Sequence, residues 1–441
     1  PNPFNGILNP PRGTPIDWSS FRSILLFGQF PKELRPQYSD QYNLTIKREL
    51  PGNVLFQVGY VGTQGHRLLA SYDLNPGNPT TCNDLQAISV ANSNPSLSCG
   101  PQTADNSFFL PPGTVIPTSL TAGLHLPYNA GAGGLNVPAG TTVGPNGITL
   151  VGLRQFSSPL CQPLTGAQCP ADGIPVFSNI FTENTVARSN YNSLQTLVEK
   201  RFSHGLQFQA AYTYSKSLDN ASSFESTLNP VDFNSTYGPS LYDARHRFVF
   251  SYVWELPVPK MDGFRGKLLD GWQASGIITE QTGFPIRITS SDDVEEFLST
   301  FFEAPGEPNL VAPFKTVNPR VGGCALGTGP LSGTGVDCQH LSGVVFDQNL
   351  FTNATVAPGT IGNAPRSICC SPGINNFDMG FVKDTPLGER VRMEFRTEIY
   401  NVFNHAQFYS VDGNISDGST FGLAQKAREP RLFQFALKFA F

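Results

Sequence analysis

The residues able to do chemistry are few, and most are carboxylates and thiols. The densest cluster is Asp292-Asp293-Val294-Glu295-Glu296, four carboxylates within five residues. Hard oxygen ligands at that density suit Ca²⁺ or another hard cation. A solvated loop has the same composition, so Asp292, Asp293, Glu295 and Glu296 are candidate ligands beside that plainer reading. Eight cysteines fall at 82, 99, 161, 169, 324, 338, 369 and 370. Their spacings lack the CxxC pairs of a zinc site. An even count at short local spacings suits disulfides in an oxidising compartment. The expected pairs are Cys82–Cys99, Cys161–Cys169 and Cys324–Cys338. The adjacent Cys369 and Cys370 are left unassigned. No HExxH, GxSxG or P-loop pattern occurs. No catalytic residue and no cofactor are therefore assigned, and an enzyme is not expected. The glycine-rich run Gly322–Gly335 precedes no helical pattern, so a flexible loop is expected there rather than a phosphate cradle. His246, between Arg245 and Arg247, is expected to hydrogen-bond at a strand start.

Composition limits the scaffold that positions these groups. Of 441 residues only 14% are charged, while 43 are Gly, 37 Pro and 34 Phe. Long helices and coiled coils need Ala, Glu, Lys and Leu in excess. Disorder is at odds with 11% aromatic residues. No apolar run reaches the roughly 18 residues of a membrane helix, and mean hydropathy is −0.16. A net charge of −5 argues against nucleic-acid binding. The start, Pro1-Asn-Pro-Phe, lacks the charged and apolar regions of a signal peptide. The expectation is a β-rich chain with long, turn-rich loops.

Alternation of apolar and polar residues marks strands with two environments. In 430–441, Phe433, Phe435, Leu437, Phe439 and Phe441 alternate with Gln434, Ala436, Lys438 and Ala440. In 389–403, Met393, Phe395, Thr397 and Ile399 alternate with Arg392, Glu394, Arg396 and Glu398. Similar patterns mark 37–50, 52–70, 190–203, 205–218, 243–256, 267–288 and 374–385. A soluble sandwich, whose strands run about 5–6 residues, is the competing reading. Transmembrane strands need about 9–11 tilted residues and carry aromatic girdles. The segments here are that long, with faces rich in Phe and Tyr. Short Pro/Gly turns alternate with long connections at about 71–189, 219–241 and 290–374, the layout of an outer-membrane barrel. The fold class expected is an all-β transmembrane antiparallel barrel, with 1–36 an external segment and 37–441 barrel wall and loops. Bacterial single-chain barrels have even strand numbers. Nine strands therefore mean either a count that is off by one or the C-terminal part of a larger barrel, and the external start and the lack of a signal peptide favour the second.

Several stretches together resemble the C-terminal barrel of TonB-dependent receptors, and within these the Oar-like group. They are Val58-Gly-Tyr-Val-Gly-Thr-Gln-Gly-His-Arg-Leu-Leu69, Tyr191-Asn-Ser-Leu-Gln195, Ala211-Tyr-Thr-Tyr-Ser-Lys-Ser217, Asp243-Ala-Arg-His-Arg-Phe-Val249, Gly271-Trp-Gln-Ala-Ser-Gly276, Phe395-Arg-Thr-Glu-Ile-Tyr-Asn-Val-Phe-Asn404 and Phe439-Ala-Phe441. The resemblance implies a barrel of about 22 strands, closed by an N-terminal plug and remaining strands outside this chain. It implies uptake, or export-related transport, energised by the TonB system. It also implies a bacterial outer membrane location with the long loops outside. Phe439 and Phe441 then resemble the signal read by the barrel assembly machinery. The alternative is an outer-membrane anchor whose disulfide-pinned loops act as an adhesin.

Overall fold

A computed structural model describes residues 24–32, 34–126, 135–145, 147–154, 177–223, 227–258, 261, 263–295, 306–314, 343–388 and 390–441. Nine long strands form the wall: β1 Tyr38–Leu50, β2 Val54–Asp73, β3 Phe177–Ser203, β4 Leu206–Asp219, β5 His246–Glu255, β6 Trp272–Gln281, β7 Ile374–Pro386, β8 Arg392–Tyr400 and β9 Leu432–Ala440. Each pairs antiparallel with the next in chain order, so the wall is a plain meander. Among the described residues, β1 and β9 each have one strand neighbour, and the sheet does not close. No described helix is long and apolar enough to cross a membrane, which says nothing about strands.

The register keeps the two faces apart across the whole wall. Phe433, Phe435, Leu437 and Phe439 sit opposite Ile399, Thr397, Phe395 and Met393. Phe248, Phe250, Tyr252 and Trp254 sit opposite Tyr212, Ala210, Phe208 and Leu206. Tyr60, Val58 and Phe56 continue that face opposite Leu194, Thr196 and Val198. A slip of one residue would move every one of these side chains to the polar side, so the pattern itself sets the pairing.

All short connections lie at one end. His204 and Gly205 close the β3–β4 hairpin with positive φ at both positions, the two-residue turn that matches strand twist. The long connections lie at the other end: L1 (74–176), L2 (220–245), L3 (282–373) and L4 (401–431). Three differences from the sequence reading have physical causes. Strand β3 starts at Phe177, because buried polar residues such as Asn179 and Thr182 hide the alternation there. The 267–288 strand shortens to β6, since Gly263–Leu269 is helical. L4 is a fourth long connection, holding the hairpin Phe408–Val411/Ala424–Ala427.

The described parts of the long loops are folded. L1 carries helix α1 (Pro79–Ala91), with Pro at its start and Asn78 capping the Thr81 amide. The α1 residues Cys82, Leu85 and Ile88 pack with Leu97, Phe108, Leu110, Ile116, Leu124, Ile148 and Leu150 into a dry core. L3 and L4 share a second core, in which Phe346, Phe351 and Phe421 pack edge to face.

Candidate functional site

The wall presents two surfaces of different chemistry. One is the apolar face above, with Trp254 and Trp272 toward the short-turn end. The same face carries Arg48, Lys200 and Lys383 near that end. Lys200 Nζ donates to Ser203 Oγ at 2.6 Å, and Lys383 Nζ donates to the Asp270 carbonyl. Nothing among the described residues covers the apolar face at its two edges, where Leu44, Ile46, Phe433 and Phe435 are all exposed. Contiguous apolar surface of this size is not stable in water and fits a lipid environment.

The opposite face is polar and concave. A groove of about 410 Å³ crosses β3 to β8, lined by Glu199, Gln209, Ser251, Asp378, Glu398 and Tyr400 among others. Its charges are partly internally matched. Arg396 Nη2 donates to Glu394 Oε1 at 2.9 Å, and Tyr400 Oη donates to Glu398 Oε2 at 3.2 Å. Asp378 accepts from the Asn401 amide at 2.8 Å and from Asn376 Nδ2 at 2.9 Å. Such a face suits water and polar solutes.

The four loops form one cap, tied by named bonds. The Gln102 amide of L1 donates to Asp293 Oδ2 of L3 at 3.2 Å, and Gln102 Nε2 to the Ser291 carbonyl at 3.0 Å. L3 joins L4 through the Thr289 amide to the Gly413 carbonyl and the Ile415 amide to the Thr289 carbonyl, both at 3.0 Å. L3 joins L2 through Arg366, which is fully buried. It donates to the Asp219 carboxylate and carbonyl at the end of β4, and to Ser222 Oγ at 3.0 Å.

A second buried arginine ties L1 to the wall. Arg154 has no exposure; its Nε donates to Asp105 Oδ1 at 2.7 Å and its Nη1 to Asp73 Oδ2 at 2.9 Å. Asp73, the last residue of β2, also accepts from Asn179 Nδ2 at 2.6 Å and the Ile180 amide at 2.9 Å, both on β3. These buried charges are matched and hydrogen-bonded, the condition under which a buried ion pair is tolerated. Arg154 is the sole Lys or Arg between 74 and 176 in the sequence. That solitary cation was the available signal for this joint, and spacing arguments miss it.

The acidic cluster is dispersed rather than convergent. Asp292 Oδ2 accepts from Asn353 Nδ2 at 2.9 Å, and Asp293 faces L1. Glu295 is fully buried, and its Oε1 accepts from the amides of Glu307 at 2.9 Å and Gly362 at 3.2 Å. Glu296 lies outside the described residues. Among those described, no three His, Cys, Asp or Glu side chains come together as a metal site. Burial pushes the Glu295 carboxyl up to about 7. Burial, and then repulsion from Glu295, pushes the buried Glu307 carboxyl up to about 8, against the attraction of Arg287 and Arg366. Glu307 was not singled out from the sequence.

Cys82 is bonded to Cys99 and staples α1 to the segment after it. Cys369 is bonded to Cys370. Cys161, Cys169, Cys324 and Cys338, the run Gly322–Gly335 and residues 1–23 lie outside the described residues. Phe439 ends the apolar row of β9, and Phe441 follows the strand, largely exposed. His246 starts β5, its Nδ1 2.8 Å from the Tyr212 hydroxyl.

Comparison with known proteins gives a family and weaker structural likenesses. A family model described as an outer membrane beta barrel domain matches residues 2–434. No curated protein matches the chain. Among solved structures, the outer membrane transporter YddB from Escherichia coli aligns over 95% of this chain and 34% of its own, at 8% identity and a TM-score of 0.40. FpvA of P. aeruginosa, solved bound to heterologous pyoverdines, aligns over 92% of this chain and 27% of its own, at 9% identity and a TM-score of 0.32. The chain thus spans about a third or less of the length of those proteins.

Proposed function

Because the chain belongs to the outer membrane beta barrel domain family, we propose that it forms part of the wall and outer mouth of a TonB-dependent receptor that takes up a polar solute. The observation that carries this reading is the two-faced wall. An apolar face runs unbroken across nine strands, and a polar, concave groove lies behind it. A sheet that served only as an anchor needs the first face and gains nothing from the second. The family resemblance in the strand motifs supplies the energy source, TonB, and the further strands and plug that would close the wall. In hydrocarbon, open strand edges such as those of β1 and β9 must be paired. The fused loops L1 to L4 serve in this reading as the external capture surface, in a Gram-negative envelope.

The test uses the full-length protein in cells. It should float with outer membranes and change its gel mobility on heating. A cysteine at Tyr242, an exposed L2 position, should react with an impermeant maleimide on intact cells. In-cell crosslinking should capture TonB. Flotation without a TonB crosslink would replace the receptor with a surface-anchored adhesin. Recovery in the soluble fraction would remove both.

A further inference from the structure

Among the described residues, the connection between β5 and β6 is the one short-end turn that holds a helix, α2, spanning Gly263–Leu269. Met261 lies two residues before α2, ahead of Gly263 at positive φ, while Phe264 and Leu268, spaced i and i+4, share one face of the helix. Met261, Phe264 and Leu268 are 42%, 80% and 55% exposed. A seven-residue helix does not persist in isolation, and this one is clamped. A Cβ on Gly266 would lie 1.8 Å from the Met261 carbonyl oxygen, so only glycine lets the chain fold back there. The Asp270 amide continues the helical bonding to the Gly266 carbonyl at 2.9 Å. The Trp272 indole N–H donates to the Leu268 carbonyl at 3.1 Å. Trp272 lies on the apolar face of β6, in register with Lys383. These bonds, with that from Lys383 Nζ to the Asp270 carbonyl, clamp α2 to the short-turn rim of the apolar wall face.

That rim has the chemistry of a membrane interface. It combines Trp254 and Trp272 with Arg48, Lys200 and Lys383 on the apolar face, and Arg265 beside Phe264 on α2. Indole rings favour the headgroup level, and long basic side chains keep their charge there while the stems stay in apolar surroundings. We propose that α2 is an interfacial foot: Met261, Phe264 and Leu268 insert into the lipid leaflet at the short-turn end, with Arg265 at the phospholipid headgroups. The occupant is the bilayer, because α2 is clamped to Trp272 and Lys383 of the face assigned to lipid, its own apolar side chains are exposed, and the rim is basic. This inference rests on the barrel reading, and its test separates the two.

Nitroxide labels are placed at Phe264→Cys, Met261→Cys and Ala210→Cys in the full-length protein. The protein is reconstituted in vesicles of phosphatidylethanolamine and phosphatidylglycerol. Collisions are measured with oxygen, which partitions into lipid, and with a water-soluble nickel chelate. Ala210 lies mid-wall on the apolar face. Oxygen should dominate at all three sites, most strongly at Ala210, with Phe264 and Met261 at interfacial depth. If nickel dominates at the two α2 sites while Ala210 stays in lipid, the foot is overturned and the barrel stands. If Ala210 also meets nickel, the barrel reading falls first. Shielding from both reagents at Phe264, or spin–spin broadening there, would mean that protein covers α2, and would overturn the inference.

Discussion

Raising the pH from 6 to 8 will loosen the part of the cap built around Glu295 and Glu307. In the folded loop the two carboxyls sit at about 7 and about 8, against an ordinary 4.5. Burial is the larger cause at both, and mutual repulsion adds to it at Glu307. Between these values the closed loop holds more protons than the opened one, so its stability falls as pH rises. The stabilisation is complete below the ordinary value and is lost through the two raised ones. At about 1.36 kcal/mol per unit for a fully engaged group, the window from pH 6 to 8 removes roughly 2 kcal/mol through Glu307 and roughly 1 kcal/mol through Glu295. The readout is hydrogen exchange at the amides of Glu307 and Gly362, which donate to Glu295, and of Gly359, which donates to its carbonyl. After correction for intrinsic exchange, their protection should fall on the order of a hundredfold across that window. Glu307→Gln should remove about two thirds of the dependence, the part that Glu307 itself titrates, and leave the part that comes from the buried Glu295. Protection that is flat with pH, or that rises, would refute the reasoning.

Three further outcomes are expected. Arg154→Met leaves Asp73 buried without its cation and should destabilise the L1 domain by about 3–5 kcal/mol; limited proteolysis should then cut L1 while the wall still resists heating in detergent. Replacing both Cys82 and Cys99 with Ser opens a link of sequence separation 17 and should cost about 3 kcal/mol of L1 stability, measured as faster cleavage in α1. Phe250→Arg puts a charge on the lipid side mid-wall and should cost about 2–4 kcal/mol, seen as poor membrane assembly. Ser251→Arg, one residue on but facing the groove, should assemble normally; equal failure of both would contradict the assignment of faces.

The wall was legible because a strand with one apolar face writes its geometry with a period of two. Phe248 to Trp254 and Phe433 to Phe439 show it without ambiguity, and the boundaries of all the wall strands except β3 and β6 fell within three residues. The pattern fails where a strand leaves the two-sided environment. From 177 to 189, β3 buries Asn179, bonded to Asp73, and Thr182, paired with Tyr72 and Gln29, so neither side reads as apolar. The interior of L1 was illegible for another reason. Its core joins Leu85, Phe108 and Ile148, brought together by strands of three or four residues that carry no usable period. The local pair Cys82–Cys99 was readable from spacing. Arg154, Arg366 and Glu307 take partners 12 to 147 positions away, a distance at which only the fold defines neighbours.

Strands β2 and β3 outrun the rest of the wall. Strand β4 ends at Asp219 opposite Ser189, so 177–188 continue beyond it for about 40 Å. That spar carries L1 on the paired ends of β2 and β3, pinned at its tip by Asp73 and Arg154 and flanked by two parallel segments, Ile24–Gln29 along β3 and Thr227–Leu228 along β2. The membrane's surface charge is screened within about 8 Å at physiological ionic strength. In the barrel proposed above, with strands tilted by about 35–45°, this spar would lift the L1 domain about 30 Å, more than three screening lengths, from the bilayer. On that reading, whatever docks on it would be selected by shape and short-range contact, with little pull or push from the lipid surface.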